Sequence, residues 1–314
     1  MANVAAGTVW NLPNYTGELF TSDLINTPFL SAIGGLTGGM QTTNFEFATD
    51  SQYSQETAAQ PAITETDSLT APTAISYVRS QNKNVTQIFH EQVSLSYAKL
   101  SNAGRLSGIN TAGSANNVVS ELDWQIAKAL EKMARDVEYT FLNGAYQIST
   151  AANVANKTRG IIAAGSSVNT VAASSATLSK ALMDSLLLEM FGNGAMFKNP
   201  VIMCGGFQKQ KISDIYGYAP EDRNVGGVNI KQIETDFGNI GVMPAHRFMP
   251  AATLLIADLD VCAPVFQVVP EKGNLFYEPL AKTGAGEQGQ LFGQIGLDHG
   301  PSFCHGTLTG LATS

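Results

Sequence analysis

From Ala48 to Asn84 the chain is rich in Gln, Ser, Thr and Ala, interrupted by Pro61 and Pro72, with few large hydrophobes. A stretch of this length cannot close around a core of its own, and structureless loops so long are uncommon inside compact domains. Alternating sequence flanks it. Phe45-Glu46-Phe47 comes before, and Val85, Phe89, Val93, Leu95 and Tyr97 come after, all of one parity and so on one face of a strand. Either the stretch is disordered, or it is a long β-ribbon that packs on something outside its own chain.

Composition describes the surface such a chain presents. Only 14% of the 314 residues are charged, against about 25% in ordinary soluble domains. Much of the surface is therefore uncharged, costs little to desolvate and suits large permanent interfaces. The balance is acidic, 18 basic against 26 acidic side chains for a net charge of -8, with no basic run, which argues against a protein that clamps nucleic acid. No run of about 18 apolar residues is present to span a membrane. Met1 to Gly17 has no Lys or Arg and no apolar block, so it does not read as a signal peptide. Cys204, Cys262 and Cys304 are odd in number and widely spaced, which fits unpaired buried thiols in a reducing compartment.

The strongest single element is Asn117 to Asn143. Val119, Leu122, Ile126, Leu130, Met133, Val137 and Phe141 step by three or four residues and form one apolar stripe. Asn116 or Asn117 caps the start, Asn143-Gly144 stops it, and Glu131 is placed to pair with Arg135. Such a helix is roughly 40 Å long and acts as a girder.

Before the ribbon, Glu18 to Ile25 is loosely helical, and Thr27 to Gly35 is an apolar arm bracketed by breakers that needs a surface to lie on. After the girder, about Thr150 to Pro270 reads as an α/β unit. It has helices at Ser174 to Phe191 and Phe207 to Ile215, buried strands at Val201 to Cys204 and Thr253 to Ala257, and strands at Val228 to Thr235 and Ile240 to Met243 around the Asp236–Asn239 turn. A last strand puts Leu291, Ile295, Leu297 and Phe303 on one face, and Gln294, Asp298 and Ser302 on the other.

Motifs that would carry chemistry are sparse. Gly284-Ala285-Gly286-Glu287-Gln288-Gly289 has dinucleotide-loop spacing, but strand-like sequence comes after it where a helix is required, so it reads as a flexible turn. His299, Cys304 and His305 invite a zinc reading, yet strand alternation would put the two histidines on one face and Cys304 on the other, with no second ligand pair. Cys204 reads as a small core hydrophobe, and His246-Arg247, a candidate anion site, as a surface turn. His90 and Glu91 are adjacent and so face opposite sides of a strand. No nucleophile elbow, HExxH or phosphate loop is present.

The order of arm, polar ribbon, girder helix, α/β unit and returning strand resembles that of major capsid proteins of tailed bacteriophages, the Hong Kong 97-type fold. Particular stretches are similar too. Thr27-Pro28-Phe29-Leu30-Ser31-Ala32-Ile33-Gly34 resembles an N-terminal arm of that family, and Asn84-Val85-Thr86-Gln87-Ile88-Phe89 before Val93-Ser94 resembles its ribbon-return strand. Arg135-Asp136-Val137-Glu138, Phe141-Leu142-Asn143-Gly144 and Arg159-Gly160-Ile161 are similar to the end of its spine helix and the entry to its next domain. Glu234-Thr235-Asp236-Phe237-Gly238, Arg247-Phe248-Met249-Pro250 and Asp258-Leu259-Asp260 resemble its axial-domain strands.

The resemblance implies an α+β chain divided into an N-terminal arm (1–44), an extended loop with flanking strands (45–97), a peripheral domain with the spine helix (98–149), an axial domain (150–270) and return strands (271–314). It also implies a structural virion protein without enzymatic activity, assembled in the host cytoplasm into hexamers and pentamers of an icosahedral head around double-stranded DNA. Portal and scaffolding proteins and a decoration protein would be its partners, with no membrane. Some members carry an N-terminal scaffolding region of about a hundred residues that is later removed. Here only a short arm precedes the ribbon, so the scaffold is either cleaved or separate. No catalytic, cofactor-binding or metal residue is expected. An encapsulin-like nanocompartment shell is the alternative of the same fold, and an α/β enzyme using Cys204 or His246 the remote one.

Overall fold

The computed structural model describes residues 26–101, 121–216, 222–225, 228–243 and 246–313. The helices are α1 (Pro28–Ala32), α2 (Tyr97–Ser101), α3 (Glu121–Asn143), α4 (Ile161–Gly165), α5 (Lys180–Gly192) and α6 (Gly206–Tyr216). The strands are β1 (Met40–Thr42), β2 (Glu46–Tyr53), β3 (Arg79–Val85), β4 (Gln87–Ser96), β5 (Thr170–Ala172), β6 (Pro200–Cys204) and β7 (Asp222–Val225), then β8 (Val228–Thr235), β9 (Gly238–Val242), β10 (Leu254–Asp258), β11 (Ala263–Gln267), β12 (Leu275–Pro279), β13 (Gly286–Asp298) and β14 (Gly306–Thr309). The helical pattern at Glu18 to Ile25 and the proposed caps Asn116 and Asn117 lie outside the described residues.

Seven strands form one mixed sheet in the order β5-β14-β10-β6-β9-β8-β7. Its inner strands β6 and β10 are buried at every position. Ile202, Cys204, Leu254 and Ile256 pack with Met183, Leu186, Leu187 and Met190 of α5, while Val201, Met203, Leu255 and Ala257 join a second cluster on the opposite face. A sheet covered on both faces has no use for polar alternation, which is why these segments read as continuous apolar runs.

The second sheet is organised by β13. β4 runs antiparallel along one side of it, from Gly286 opposite Ser96 to Ile295 opposite Gln87. β12 and β11 share its other side, and β1 adds in parallel to β11. Phe89, Val93 and Leu95 point inward from β4, whereas Ile88 and His90 face solvent, the alternation of a half-buried strand. Across the inner face lies α3, whose Met133, Val137 and Phe141 pack on Phe89, Leu291 and Ile295.

Several local expectations are corrected. Leu130 is 38% exposed although it belongs to the α3 stripe, so burial begins in earnest at Met133. The second helix starts at Lys180, because Ser174 and Ser175 hold φ of 49° and 65°, outside helical space, and Ser179 caps the real start by accepting from the Leu182 amide at 3.4 Å. Tyr97 leaves the strand face, opens α2 and is exposed.

Candidate interface: the projecting ribbon and the docked arm

Among the described residues β2 and β3 pair only with each other, from Glu46 opposite Val85 to Tyr53 opposite Arg79, with an irregularity between Ala48 and Asp50. Past Tyr53 the chain continues in solvent until Val78, with Ser54 N–H to Val78 O as a last rung at 3.1 Å and one short turn at Asp67–Leu69. Asp67 ties this turn by accepting from the Thr64 hydroxyl at 2.7 Å, which holds its carboxyl below the usual range. Ile63, Leu69, Ile75, Tyr77 and Val78 are all exposed, Leu69 by 86%. Tyr53 and Tyr77 meet edge to face at 6.3 Å beside a shallow recess of about 280 Å³ that Ser51, Gln52 and Arg79 complete.

The base of the ribbon is held far more firmly than its tip. Asn84 is fully buried, and its side-chain amide donates to Leu297 O at 2.7 Å and Arg159 O at 3.1 Å while its oxygen accepts from Arg159 N–H at 2.7 Å and Val85 N–H at 2.9 Å. One side chain thus pins β3 to β13 and to the segment entering α4. Next to it the Thr86 hydroxyl donates to Gln267 at 2.8 Å, and Arg159 lies over the Tyr146 ring at 5.1 Å. The sequence marked the ribbon by its missing hydrophobes, but nothing in it marked Asn84 as the pin.

The arm is docked by a different device. α1 buries Phe29 and Leu30, and their amides donate to Glu138 of α3, Phe29 to Oε1 at 2.9 Å and Leu30 to Oε2 at 2.6 Å. His246 Nε2 meets the same Oε1 at 2.7 Å. The expected surface turn holds for Arg247, which is exposed, but not for His246: that residue is 3% exposed and its anion is a carboxylate of its own chain.

The described residues thus hold a solvent-exposed hairpin and an arm docked on α3 of its own chain. The sequence model of the SU10 major capsid protein family matches residues 2–312. The chain belongs to that family. No curated protein matches it.

Solved structures place this phage major capsid protein in the Hong Kong 97-type fold. It is similar to the capsid protein of Cyanophage A-1(L), at 14% identity over 95% of this chain and 96% of that one, with a TM-score of 0.63. It is similar as well to the capsid protein of a native GTA particle, at 12% identity over 99% of both chains and a TM-score of 0.58. The SrpI encapsulin of Synechococcus elongatus shares the fold at 10% identity, over 96% of this chain and 93% of that one, with a TM-score of 0.59. The family match favours the phage capsid reading over the encapsulin one.

The remaining chemical candidates are built into the capsid protein's interior or its sheets. Gly286 to Gly289 is the start of β13, paired with β4, and not a flexible turn; no helix comes after it that could face a phosphate. The Tyr277 ring crosses its last glycine, so that a Cβ at Gly289 would fall 2.0 Å from the Tyr277 hydroxyl unless the ring moved. His299 and His305 are both fully buried with rings 6.5 Å apart, but the turn at Ser302–Cys304 replaces the alternating strand expected there. Burial pushes the His299 ring down to about 4, and His305 down as well. His90 is exposed and contacts Gln290, whereas Glu91 pairs with Lys132 of α3 at 2.6 Å, so the two do face apart. Among the described residues no group of three or more His, Cys, Asp or Glu side chains is arranged to hold a metal ion, and no helix is long and apolar enough to cross a membrane.

Proposed function

We propose that this phage major capsid protein assembles with copies of itself into hexamers and pentamers of a closed icosahedral head around double-stranded DNA, and that the ribbon of residues 54–78 bridges neighbouring subunits. Exposure of its apolar side chains carries the reading: Ile63, Leu69, Ile75, Tyr77 and Val78 make no core within their own chain, and a neighbouring surface supplies the burial they lack. In this reading residues 1–44 are the arm, 45–97 the extended loop with its strands, 98–149 the peripheral domain, 150–270 the axial domain and 271–314 the return strands.

The protein acts by packing and not by catalysis. Its acidic balance suits a container whose contents must slide during filling, since a basic wall would hold the phosphates. Assembly in the host cytoplasm, with portal and scaffolding proteins and a decoration protein as partners, belongs to the same proposal.

Replacing residues 55–74 with a short Gly-Ser turn tests it. The subunit stays folded by circular dichroism and thermal melting, because the removed part adds nothing to either core, while electron microscopy shows closed shells absent or fragile. Unfolding of the truncated subunit, or normal robust shells, defeats the proposal.

A further inference from the structure

Glu138 is a fully buried carboxylate whose partners all come from far along the chain, two from the arm at sequence separations of 109 and 108 and one from His246 at 108. At α1, Thr27 makes no side-chain cap, so the amides of Phe29 and Leu30 have the carboxylate in place of a local acceptor. At His246 the tautomer is set by geometry: Phe248 N–H donates to Nδ1 at 3.0 Å, which leaves the ring proton on Nε2, aimed at Glu138 Oε1. Three N–H donors thus converge on two oxygens, an arrangement made for a carboxylate and for no neutral side chain of the same shape.

The arm is also peripheral to both sheets. Among the described residues its ladder is β1, which occupies the edge of the β13 sheet and pairs with β11. Its apolar contacts include Phe29, Leu30 and Ile33, with Ala32 and Leu36 packed beside them, in the cluster that α3 also lines. Lifting it away interrupts no interior strand.

We infer that Glu138 is the positioning residue that latches the arm: its carboxylate joins α1, α3 and the turn at His246, and without it the arm leaves the body as a unit while the body stays folded. This inference rests on the shell reading for its consequence. A latched arm holds residues 28–36 at the same place on every subunit, and an unlatched one does not, so shells built from unlatched subunits are heterogeneous.

The variants separate latch from scaffold. In Glu138→Gln one oxygen becomes an NH2 that must face an N–H donor. In His246→Gln the side-chain amide donates to Glu138 while its oxygen accepts from Phe248 N–H, whereas His246→Ala removes the donor and leaves the two backbone bonds.

Hydrogen–deuterium exchange of the full chain, read peptide by peptide, is the measurement. The expected result is at least tenfold faster exchange across residues 28–36 in Glu138→Gln, a smaller rise in His246→Ala and near-native exchange in His246→Gln, with β4 and β13 protected as in the wild type throughout. Electron microscopy then shows mixed particle shapes for Glu138→Gln. Unchanged exchange of the arm in Glu138→Gln overturns the inference, and so does loss of protection spread evenly over the body. If Glu138→Gln yields no folded protein, His246→Ala decides by the same pattern: loss confined to the arm supports the latch and uniform loss overturns it. Failure of the wild type to form shells would count against the proposed function alone, because the exchange pattern does not depend on shells.

Discussion

The ring of Phe47 lies on Gly296, so close that a Cβ added at Gly296 would come within 2.8 Å of the ring edge and 2.9 Å of Val85 O. This contact seats the base of the ribbon on β13 beside the Asn84 pin. Gly296→Ala is expected to cost about 1–3 kcal/mol by overpacking, since a backbone oxygen cannot swing aside. Gly192→Ala at the end of α5, where nothing lies within 4 Å, is the control and should be neutral or slightly stabilising. Thermal melting of both variants checks the pair; equal melting would mean that Phe47 moves freely and the seat is loose.

Two positions on one stripe of α3 should answer differently to the same charge. Val137 is fully buried and Leu130 is 38% exposed. Val137→Asp is expected to lose several kcal/mol and fail to accumulate as soluble protein, because it buries an unpaired carboxylate. Leu130→Asp should fold with a change of about 1 kcal/mol or less. The reverse order of soluble yields would show that the helix is rotated about its axis, with Leu130 inward.

Acid should act on this protein through opposing groups. His299 falls from an ordinary 6.5 to about 4, so between those values the unfolded chain takes up a proton that the folded chain refuses. Its stabilisation, about 3 kcal/mol at about 1.4 kcal/mol per pKa unit, is complete above pH 6.5 and is lost as pH falls towards 4. Burial raises Asp298 from 3.8 to about 6, and that group works the other way: its contribution is present below 3.8 and is lost as pH rises through 6. Asp298→Asn keeps an oxygen for Gly300 N–H, which Asp298 now accepts at 2.9 Å, and removes the offset. Melting temperature against pH should then be higher than wild type at pH 7 and fall more steeply from pH 6 to 4. Parallel profiles would show that the two groups do not share this linkage.

The three thiols should be inert in the folded chain. Burial pushes Cys204 up to about 12, raises Cys262 well above its ordinary value with Asp258 adding to the effect, and raises Cys304. Only the thiolate reacts with disulfide reagents. Labelling with Ellman's reagent at pH 8 should therefore proceed at the rate of unfolding, and Cys204→Ala should assemble normally. A rapid stoichiometric burst would reopen the case for a nucleophile at Cys204.

Local pattern determined what local physics controls. The α3 stripe, the continuous runs at Val201–Cys204 and Leu254–Ala257, and the alternation of β4 each reflect whether an element is covered on one face or two. The ribbon was legible through what it is short of, since a segment with so few large side chains cannot close a core around itself. Only the tertiary structure decided how far each covering surface extends and which distant groups meet. Leu130 keeps its stripe position yet loses its cover, because the core facing α3 begins at Met133. Asn84 became the pin of the ribbon because Arg159 and Leu297 bring it their backbone groups, and His246 is buried because Glu138 receives it across 108 residues. Hydrogen bonds between groups so far apart leave no periodic trace in the chain: each partner is locally an ordinary polar residue, and only the packing that removes water makes its pairing obligatory.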